Sequence, residues 1–254
     1  MNIENWTKKH FTETSKFNWN CPHCKSKSLE FLKDKFVTEE TQESRNYRLK
    51  DDDWEVEWIT LNVSGQLKCK NCEELVFFLG IGNPQENGYY DQHLDDFVSE
   101  YETYFSPTFV NPTIHLFEIP EVCPELVTDE IIASFKLYWC DLESCANKIR
   151  TSLERLMDEF KVKKYSIKNG KRTPIALHHR IEKFPKREIT NILLAIKWIG
   201  NTGTHRSKNL ETIDIVETYS LLEYALNKLY KDTEKEIKKI AKEINSRKGK
   251  RKRK

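Results

Sequence analysis

The stretch Asn191-Ile-Leu-Leu-Ala-Ile-Lys-Trp-Ile-Gly-Asn-Thr-Gly-Thr-His205 begins with an apolar helical pattern and ends in polar residues. Its apolar side chains recur at the spacing of one helix face, at Ile192, Leu193, Ile196 and Ile199. This spacing predicts a helix whose apolar face is buried. A helix that only filled a core would not need the polar residues that follow.

A second face of this predicted helix carries polar side chains. Lys197, Asn201 and His205 are spaced four residues apart, so a continuous helix would place them one turn from each other on one face. Gly200 and Gly203 leave bare backbone beside them and lower the helix propensity. Such a face suits a phosphate, a base or a partner chain.

An alternative interpretation of the same stretch is structural. Gly200 and Asn201 would end the helix, with Asn201 in a left-handed cap and His205 capping the next turn. The spacing alone is compatible with both interpretations, the polar site and the helix cap.

Three ordered blocks of the chain resemble a bacterial family, domain of unknown function 4145. "IKWIGNTGTH" is similar to its signature, in which a basic residue precedes Gly-Asn by three positions and a His follows the Asn by four. "FEIPEVCPELVTDEIIASFKLYWCDLESCANKIRTSLERLMDEF" and "ALHHRIEKF" resemble two upstream blocks. The matching positions there are Arg150, Leu153 and Glu154, and then Leu177, Arg180 and Ile181. The resemblance covers roughly residues 117–230, about half of the chain.

That family in turn resembles the HEPN superfamily (higher eukaryotes and prokaryotes nucleotide-binding), all-helical domains common in toxin and phage-defence systems. Many HEPN ribonucleases carry an Arg-Asn-x-x-x-His core, and Asn201 and His205 stand at its Asn and His positions. Gly200 occupies the Arg position, and the nearest upstream base is Lys197. This departure puts catalysis in question, because Arg holds a phosphate with a planar fork whereas Lys offers a mobile point charge.

The resemblance implies a defence-associated protein that engages nucleic acid, with RNA favoured. In its strong form the protein is a metal-independent HEPN-type ribonuclease that acts as a homodimer. His205 would then be the general acid or base, Asn201 would orient the reacting groups, and Lys197 with Arg206 would stabilise phosphate charge. The alternative is a non-catalytic binding or scaffolding subunit of a larger restriction or phage-defence assembly.

Two cysteine pairs near the N-terminus predict a metal site. Cys21-Pro-His-Cys24 and Cys69-Lys-Asn-Cys72 have the Cys-x-x-Cys spacing of four-thiolate zinc sites, in which each pair forms a tight turn. The 44 residues between the pairs exceed the usual interval, so the ribbon carries an insertion. We expect a structural Zn²⁺, because four thiolates leave no open position for a substrate.

The insertion contains strand patterns. Trp54-Glu-Val-Glu-Trp-Ile-Thr-Leu-Asn-Val63 alternates, and Leu75-Val-Phe-Phe-Leu79 is a short apolar run before Gly80. Residues 40–53 are polar and acidic and are predicted to form a loop. The expected fold class is α+β, in which a four-cysteine zinc ribbon with three or four antiparallel strands precedes an all-α, HEPN-like bundle.

Prolines and periodicity predict the domain limits. Residues 1–105 would form the zinc-ribbon domain, whose first 20 residues are an aromatic-rich short helix or arm packed on the next unit. Residues 106–124 contain four prolines and are predicted to be an extended connector. Residues 125–246 would form the bundle. One long helix is expected from Thr128 through Phe160, and a last helix over residues 210–245.

A basic segment lies inside the predicted bundle. Residues 161–173, KVKKYSIKNGKRT, contain six bases and one Tyr and are predicted to form a loop or hairpin. Bases neutralise phosphates and an aromatic ring can stack on an unpaired base, so Lys164, Lys171 and Arg172 are candidate nucleic-acid contacts together with Arg206. A solvated loop without a ligand is the alternative.

Composition limits the remaining classes. The chain has 254 residues and a formal net charge of +2, but seven of its 42 bases lie in residues 247–254. This basic tail is expected to be disordered, because like charges repel and nothing apolar is buried. No run of about 18 apolar residues predicts a membrane span, and the N-terminus does not resemble a secretion signal. The expected location is therefore cytoplasmic.

Overall fold

The computed structural model describes residues 3–91, 93, 95–202, 210–231 and 233–248. Strands dominate its N-terminal half and helices its C-terminal half, so the chain has a mixed α/β fold with an N-terminal antiparallel sheet. The strands are β1 (Leu29–Phe31), β2 (Val37–Glu40), β3 (Leu61–Cys69), β4 (Leu75–Glu86), β5 (Tyr89–Asp91), β6 (Asp96–Val98), β7 (Tyr101–Asn111), β8 (Tyr165–Lys168) and β9 (Lys171–Pro174). The helices are α1 (Glu4–Thr7), α2 (Gln42–Lys50), α3 (Glu125–Leu137), α4 (Leu142–Glu159), α5 (Leu177–Glu182), α6 (Thr190–Thr202), α7 (Thr212–Tyr230) and α8 (Thr233–Ser246).

Strand β3 is the centre of a five-stranded antiparallel sheet. Strands β1 and β2 both pair with β3 along one side, β4 pairs along the other, and β7 follows β4. The strict alternation of β3 explains its position, since every second residue is buried, at Val63, Gly65, Leu67 and Cys69. Its inner face packs on an aromatic cluster that includes Phe11, Phe31, Phe36, Phe78 and Phe105.

Two predictions for the insertion are wrong. Residues 40–53 contain helix α2 instead of a continuous loop; Thr41 caps it, because its hydroxyl accepts a hydrogen bond from the Ser44 amide at 3.2 Å. The alternating stretch that begins at Trp54 is not one strand, since Val56–Trp58 is a 3-10 turn and β3 starts only at Leu61. Strand β3 therefore begins later along the chain than the alternating pattern suggests.

Strand β7 includes the first six residues of the predicted connector. It continues to Asn111, and Pro107 pairs with Gly80 at a register shift that leaves Thr108 of β7 without a partner residue on β4. A proline cannot donate a ladder hydrogen bond, but β7 is the last strand in the sheet order, so the missing donor is tolerated there. The first part of the predicted connector is therefore extended, but it is a strand of the sheet.

The N-terminal arm joins the sheet to the helices, as its aromatic content predicted. Trp6 stacks on Trp19 at 5.9 Å between ring centroids, and Trp19 contacts Trp139 at 5.3 Å. The Tyr138 hydroxyl donates to the Trp6 carbonyl, and Lys9 Nζ donates to the Tyr138 carbonyl at 2.5 Å. These contacts attach the arm to the turn between α3 and α4.

The long helix predicted from Thr128 to Phe160 is two helices. Helix α3 starts at Glu125, directly after Pro124, and α4 starts after the N-cap Asp141, whose carboxylate accepts from the Ser144 amide at 2.8 Å. The apolar stripe continues through both helices, and this continuity concealed the break in the sequence. The two helices pack against each other.

Helix α6 lies at the centre of the helical half, where it packs against α4, α5 and α7. Its apolar face is buried as predicted, with Leu193 and Ile196 inaccessible to solvent. The predicted last helix is divided into α7 and α8, with Lys231 in an extended conformation after α7. None of the helices in the described ranges is both long enough and apolar enough to cross a bilayer.

Candidate functional site

The four cysteines of the two Cys-x-x-Cys pairs come together at one end of the sheet. Cys69 is the last residue of β3 and pairs with Leu29 of β1, while Cys21 and Cys24 lie on the segment before β1. Cys72 follows Cys69 in the turn that leads to β4. The sheet register therefore brings two turns that are distant in sequence to the same place.

The two turns have the same backbone geometry. The amide after each pair, of Lys25 and of Glu73, donates at 2.9 Å to the carbonyl of the first cysteine, Cys21 or Cys69. Both residues have a left-handed φ, 61° at Lys25 and 64° at Glu73. A left-handed φ is unfavourable for an L-residue, so its presence in both turns indicates that the surrounding structure requires this turn conformation.

The sulfur positions fit a tetrahedral metal. The Sγ atoms of Cys21 and Cys72 are 3.6 Å apart, those of Cys24 and Cys69 are 3.5 Å apart, and all four lie within 4.8 Å of one another. A tetrahedral ion with bonds of about 2.3 Å to sulfur needs sulfur separations of ~3.8 Å. The described geometry is therefore compatible with a four-thiolate metal site.

Two serines complete the surroundings of these sulfurs. Ser28 Oγ lies 3.1 Å from Cys69 Sγ, and Ser26 Oγ lies 2.9 Å from Cys24 Sγ. Hydrogen bonds from the side chains of Ser26 and Ser28 lower the pKa of Cys69 to about 5. The side chains of Asn71 and then Ser26 lower the pKa of Cys24 to about 7. Thiolate is the form that binds a metal, so these donors favour metal binding.

A second candidate site lies where α4 meets α6, and we call Arg150, Glu154, Lys197 and Trp198 the α4–α6 cluster. Lys197 is only 7% exposed, and no carboxylate lies within ion-pair distance of its ammonium among the described residues. Its Nζ lies 3.3 Å from the centroid of the Trp198 ring. Burial, and then the nearby charge of Arg150, hold the Lys197 pKa below its ordinary value.

Gly200 allows α6 to approach α4 at this cluster. A Cβ atom at Gly200 would lie 2.6 Å from Arg150 Cβ and 3.2 Å from the Ala146 carbonyl oxygen, too close for a real side chain. The Arg150 side chain therefore passes directly beside Gly200. One guanidinium nitrogen of Arg150 lies 3.2 Å from Glu154, and its buried Nε has no partner among the described residues.

Trp198 forms the open side of the cluster. The side chain is 56% exposed, although it follows a buried lysine on a helix whose other large apolar residues face the core. Its ring centroid lies 5.7 Å from that of His178 on α5. A large aromatic surface next to the Lys197 ammonium is thus accessible from solvent.

The predicted catalytic trio is placed only in part. Lys197 and Asn201 lie four residues apart on α6, where Asn201 is half-buried in the last turn. Helix α6 continues through Asn201, so the helix does not end at Gly200, as the cap interpretation required. His205 and Arg206 lie outside the described residues, and their predicted roles stay predictions.

The basic segment forms the predicted hairpin, strands β8 and β9. The Arg172 guanidinium lies 3.8 Å from the centroid of the Tyr165 ring, and Lys171 is exposed beside the turn. Lys164 Nζ lies 3.4 Å from an Asp158 carboxylate oxygen, so part of its charge is already matched. Of the three predicted contacts on this hairpin, Lys171 and Arg172 present their charge most openly.

Sequence reasoning missed three features of these sites. Trp198 was given no role from the sequence, although its position outside the apolar stripe of α6 signals exposure. The contact between Arg150 and Gly200 has no sequence signal, because it depends on how α4 and α6 pack. The hydroxyl groups of Ser26 and Ser28 follow Cys24 closely, in a segment with the composition of a metal-binding turn.

Comparisons with known families match two separate segments of the chain. Residues 9–110 match a domain of unknown function (DUF8608), and residues 133–247 match another domain of unknown function (DUF4145). The second match agrees with the family that the motif resembles. Searches of curated proteins and of solved structures find no match.

Proposed function

We propose that this protein binds nucleic acid, with RNA favoured, and that the α4–α6 cluster holds one of its phosphates. The observation that carries the proposal is a buried lysine, Lys197, which lies beside a second cation, Arg150. In the described part of the chain, no carboxylate pairs with Lys197, whereas Arg150 pairs with Glu154. An anion supplied from outside would neutralise this excess of positive charge.

Desolvation explains why the arrangement favours an anion. A buried charge without a partner destabilises a fold, so buried ammonium groups are normally paired. Within the cluster, the Glu154 carboxylate pairs with Arg150. The cluster therefore keeps one uncompensated positive charge in a partly dry environment, where its attraction for a phosphate is stronger than in water.

Trp198 and the β8–β9 hairpin favour a polynucleotide over a small anion. An exposed indole provides a face on which an unpaired base can stack, and such stacking contributes ~1–3 kcal/mol per base. The hairpin adds Lys171 and Arg172, which suit further phosphates. RNA fits this combination, because proteins mostly read RNA in single-stranded segments with splayed bases.

Fluorescence anisotropy with a labelled single-stranded RNA tests this proposal. We expect Lys197→Met and Trp198→Ala each to weaken binding, by roughly tenfold for the lysine. Lys228→Met is a matched control, because Lys228 also lies near an aromatic ring, that of Tyr224, but on α7. Equal RNA affinity for wild type, Lys197→Met and Lys228→Met would reject the α4–α6 cluster as the binding site.

The four cysteines are proposed to hold a structural Zn²⁺. The sulfur separations support a tetrahedral ion, and thiolates are the ligands that structural zinc sites use most. The ion would join the segment before β1 to the β3–β4 turn. Its role would be to stabilise the sheet, since four protein ligands complete its coordination.

The stronger form of the function is metal-independent RNA cleavage by a homodimer, as the HEPN resemblance implies. The contact of Arg150 with Gly200 supports this form, because α4 supplies an arginine next to the position where the motif lacks one. Asn201 and His205 would then complete the site. RNA cleavage in the presence of EDTA, lost in His205→Ala without loss of folding, would support it; RNA binding without cleavage in the wild type would favour the non-catalytic subunit.

The quaternary state is a separate test of the homodimer. HEPN nucleases usually build one site from two subunits, so the cleaving form predicts a dimer in light scattering at micromolar concentration. A monomer that still binds RNA would favour a recognition subunit of a larger defence assembly.

A further inference from the structure

A cluster of metal-ligating side chains lies outside the two sites described above, on α5. His178 Nε2 lies 3.5 Å from one carboxylate oxygen of Glu182, and His179 Nδ1 lies 2.9 Å from the other. One ligand atom from each of the three residues can be chosen so that all lie within 4.8 Å of one another. Two imidazoles and a carboxylate thus converge on a small volume at the surface.

The helix itself explains this convergence. Residues three and four apart in a helix are neighbours, so Glu182 lies next to both His178 and His179. A tetrahedral zinc-type ion with bonds of ~2.1 Å needs ligand atoms about 3.4 Å apart. The distances from His178 and His179 to the Glu182 carboxylate, 3.5 Å and 2.9 Å, lie on either side of that value. Small side-chain rotations would therefore suffice to coordinate an ion.

The backbone that carries these ligands is firmly held. Arg180, between them in sequence, is 3% exposed; it donates to the Asp158 carboxylate at 2.5 Å and to the Val162 carbonyl at 3.1 Å. Ile181 is fully buried on the same turn. A rigid support reduces the entropy that is lost when ligands are ordered around an ion.

We propose that His178, His179 and Glu182 form a second metal site, which takes a borderline divalent transition ion such as Zn²⁺ or Ni²⁺. Imidazole nitrogen together with one carboxylate suits these ions better than Mg²⁺ or Ca²⁺, which prefer oxygen ligands only. Three protein ligands leave at least one coordination position for water or for an oxygen of a bound molecule. The proposal of this metal site does not rest on the proposed nucleic-acid binding.

Trp198 gives this site a specific optical signal. Its ring lies against that of His178, at 5.7 Å between centroids, so a paramagnetic ion on His178 would quench Trp198 fluorescence. The chain has six tryptophans, and the contribution of Trp198 is obtained by comparison with Trp198→Phe.

The test is a Ni²⁺ titration of the full chain without a polyhistidine tag, after its cysteine site has been loaded with Zn²⁺. Calorimetry should show one Ni²⁺ per chain, and His178→Ala, His179→Ala and Glu182→Gln should each weaken its binding at least ~10-fold. His179 is largely exposed, so His179→Ala keeps the test valid if His178→Ala does not fold. His93→Ala, which changes an exposed histidine elsewhere, should bind Ni²⁺ as the wild type does.

Fluorescence completes the experiment. Ni²⁺ should quench the wild type more than Trp198→Phe, while both bind the ion equally in calorimetry. No Ni²⁺ binding, or binding that survives both histidine variants, would overturn the proposal. Quenching that is unchanged in Trp198→Phe would also overturn it, because the ion would then lie elsewhere.

Discussion

Replacing Lys197 by methionine should make the protein more stable and, at the same time, weaken its binding of RNA. The lysine is 7% exposed, so its aliphatic stem is packed, and methionine keeps most of that packing. The ammonium has no carboxylate partner in the described ranges, and burial with the charge of Arg150 lowers its pKa. Because replacing buried charged groups by packed apolar ones is often neutral or stabilising by about 1–4 kcal/mol, we expect a gain on the order of 1 kcal/mol, or roughly 2–4 °C in Tm.

The pH dependence of this gain follows from the sign of the shift. Between the lowered folded-state pKa of Lys197 and its ordinary value of 10.5, the unfolded chain binds more protons than the folded chain. The free energy of unfolding of the wild type therefore rises as the pH rises through the folded-state pKa. The stability advantage of Lys197→Met over the wild type shrinks over the same pH range. Thermal unfolding at pH 7 and at pH 10 measures this difference.

A loss of stability in Lys197→Met would refute the reasoning, because it would mean that contacts of the ammonium within the fold, such as the one with the Trp198 ring, already outweigh the cost of burying its charge. Lys228→Met controls for the general effect of removing a positive charge, since Lys228 is exposed on α7. We expect its unfolding temperature to stay within about 1–2 °C of the wild type.

Three further predictions concern other parts of the structure. Cys72→Ser should lower the zinc content from one ion per chain towards zero in atomic emission, whereas Cys140→Ser, an exposed cysteine outside the cluster, should leave it unchanged. Gly200→Ala should lower the free energy of unfolding in urea by about 1–2 kcal/mol, because the clash with Arg150 Cβ outweighs the gain in helix propensity. In an Arg150→Gly background this loss should nearly vanish. Equal losses in both backgrounds would exclude the clash. Arg180→Met should cost roughly 2 kcal/mol, since it leaves the Asp158 carboxylate with Lys164 alone and removes the donor to the Val162 carbonyl, and an unchanged urea midpoint would contradict a stabilising role of this ion pair.

The sequence predicts the sheet best where a strand pattern and ligand spacing agree. The apolar run Leu75–Leu79 and the two cysteine pairs together predicted an antiparallel sheet beside four clustered thiols, and the structure has both. Helix α2 was missed because residues 40–53 lack apolar periodicity. Its N-terminal end is held by hydrogen bonds of Ser44 with Thr41, Glu40 and Thr60, which a periodicity search does not detect.

The helical half shows a second limit of periodicity. Ile131 and Phe135 on α3 are in register with Leu142 and Cys145 on α4, so the pattern predicts one helix, although the turn before Asp141 reverses the chain direction. The N-cap Asp141 with Ser144 three residues later was the available signal for the break.

At the candidate site, the sequence predicted which residues of α6 are polar but not how they are surrounded. The four-residue spacing correctly placed Lys197 and Asn201 on one helix, whereas the burial of Lys197 depends on its packing against α4. Arg150 was predicted to pair with Glu154, and it does so, at 3.2 Å. Its closeness to Gly200 is a tertiary contact between two helices, which no local pattern encodes.

The salt dependence of RNA binding tests the central claim most directly. If Arg150 and Lys197 neutralise a phosphate, the double variant Arg150→Gln, Lys197→Met loses that phosphate contact. Binding of the variant then no longer releases the counterion of that phosphate. The slope of the logarithm of affinity against the logarithm of salt concentration should then become shallower by about 0.7 for single-stranded RNA. A slope and an affinity that equal those of the wild type would contradict phosphate binding at the α4–α6 cluster.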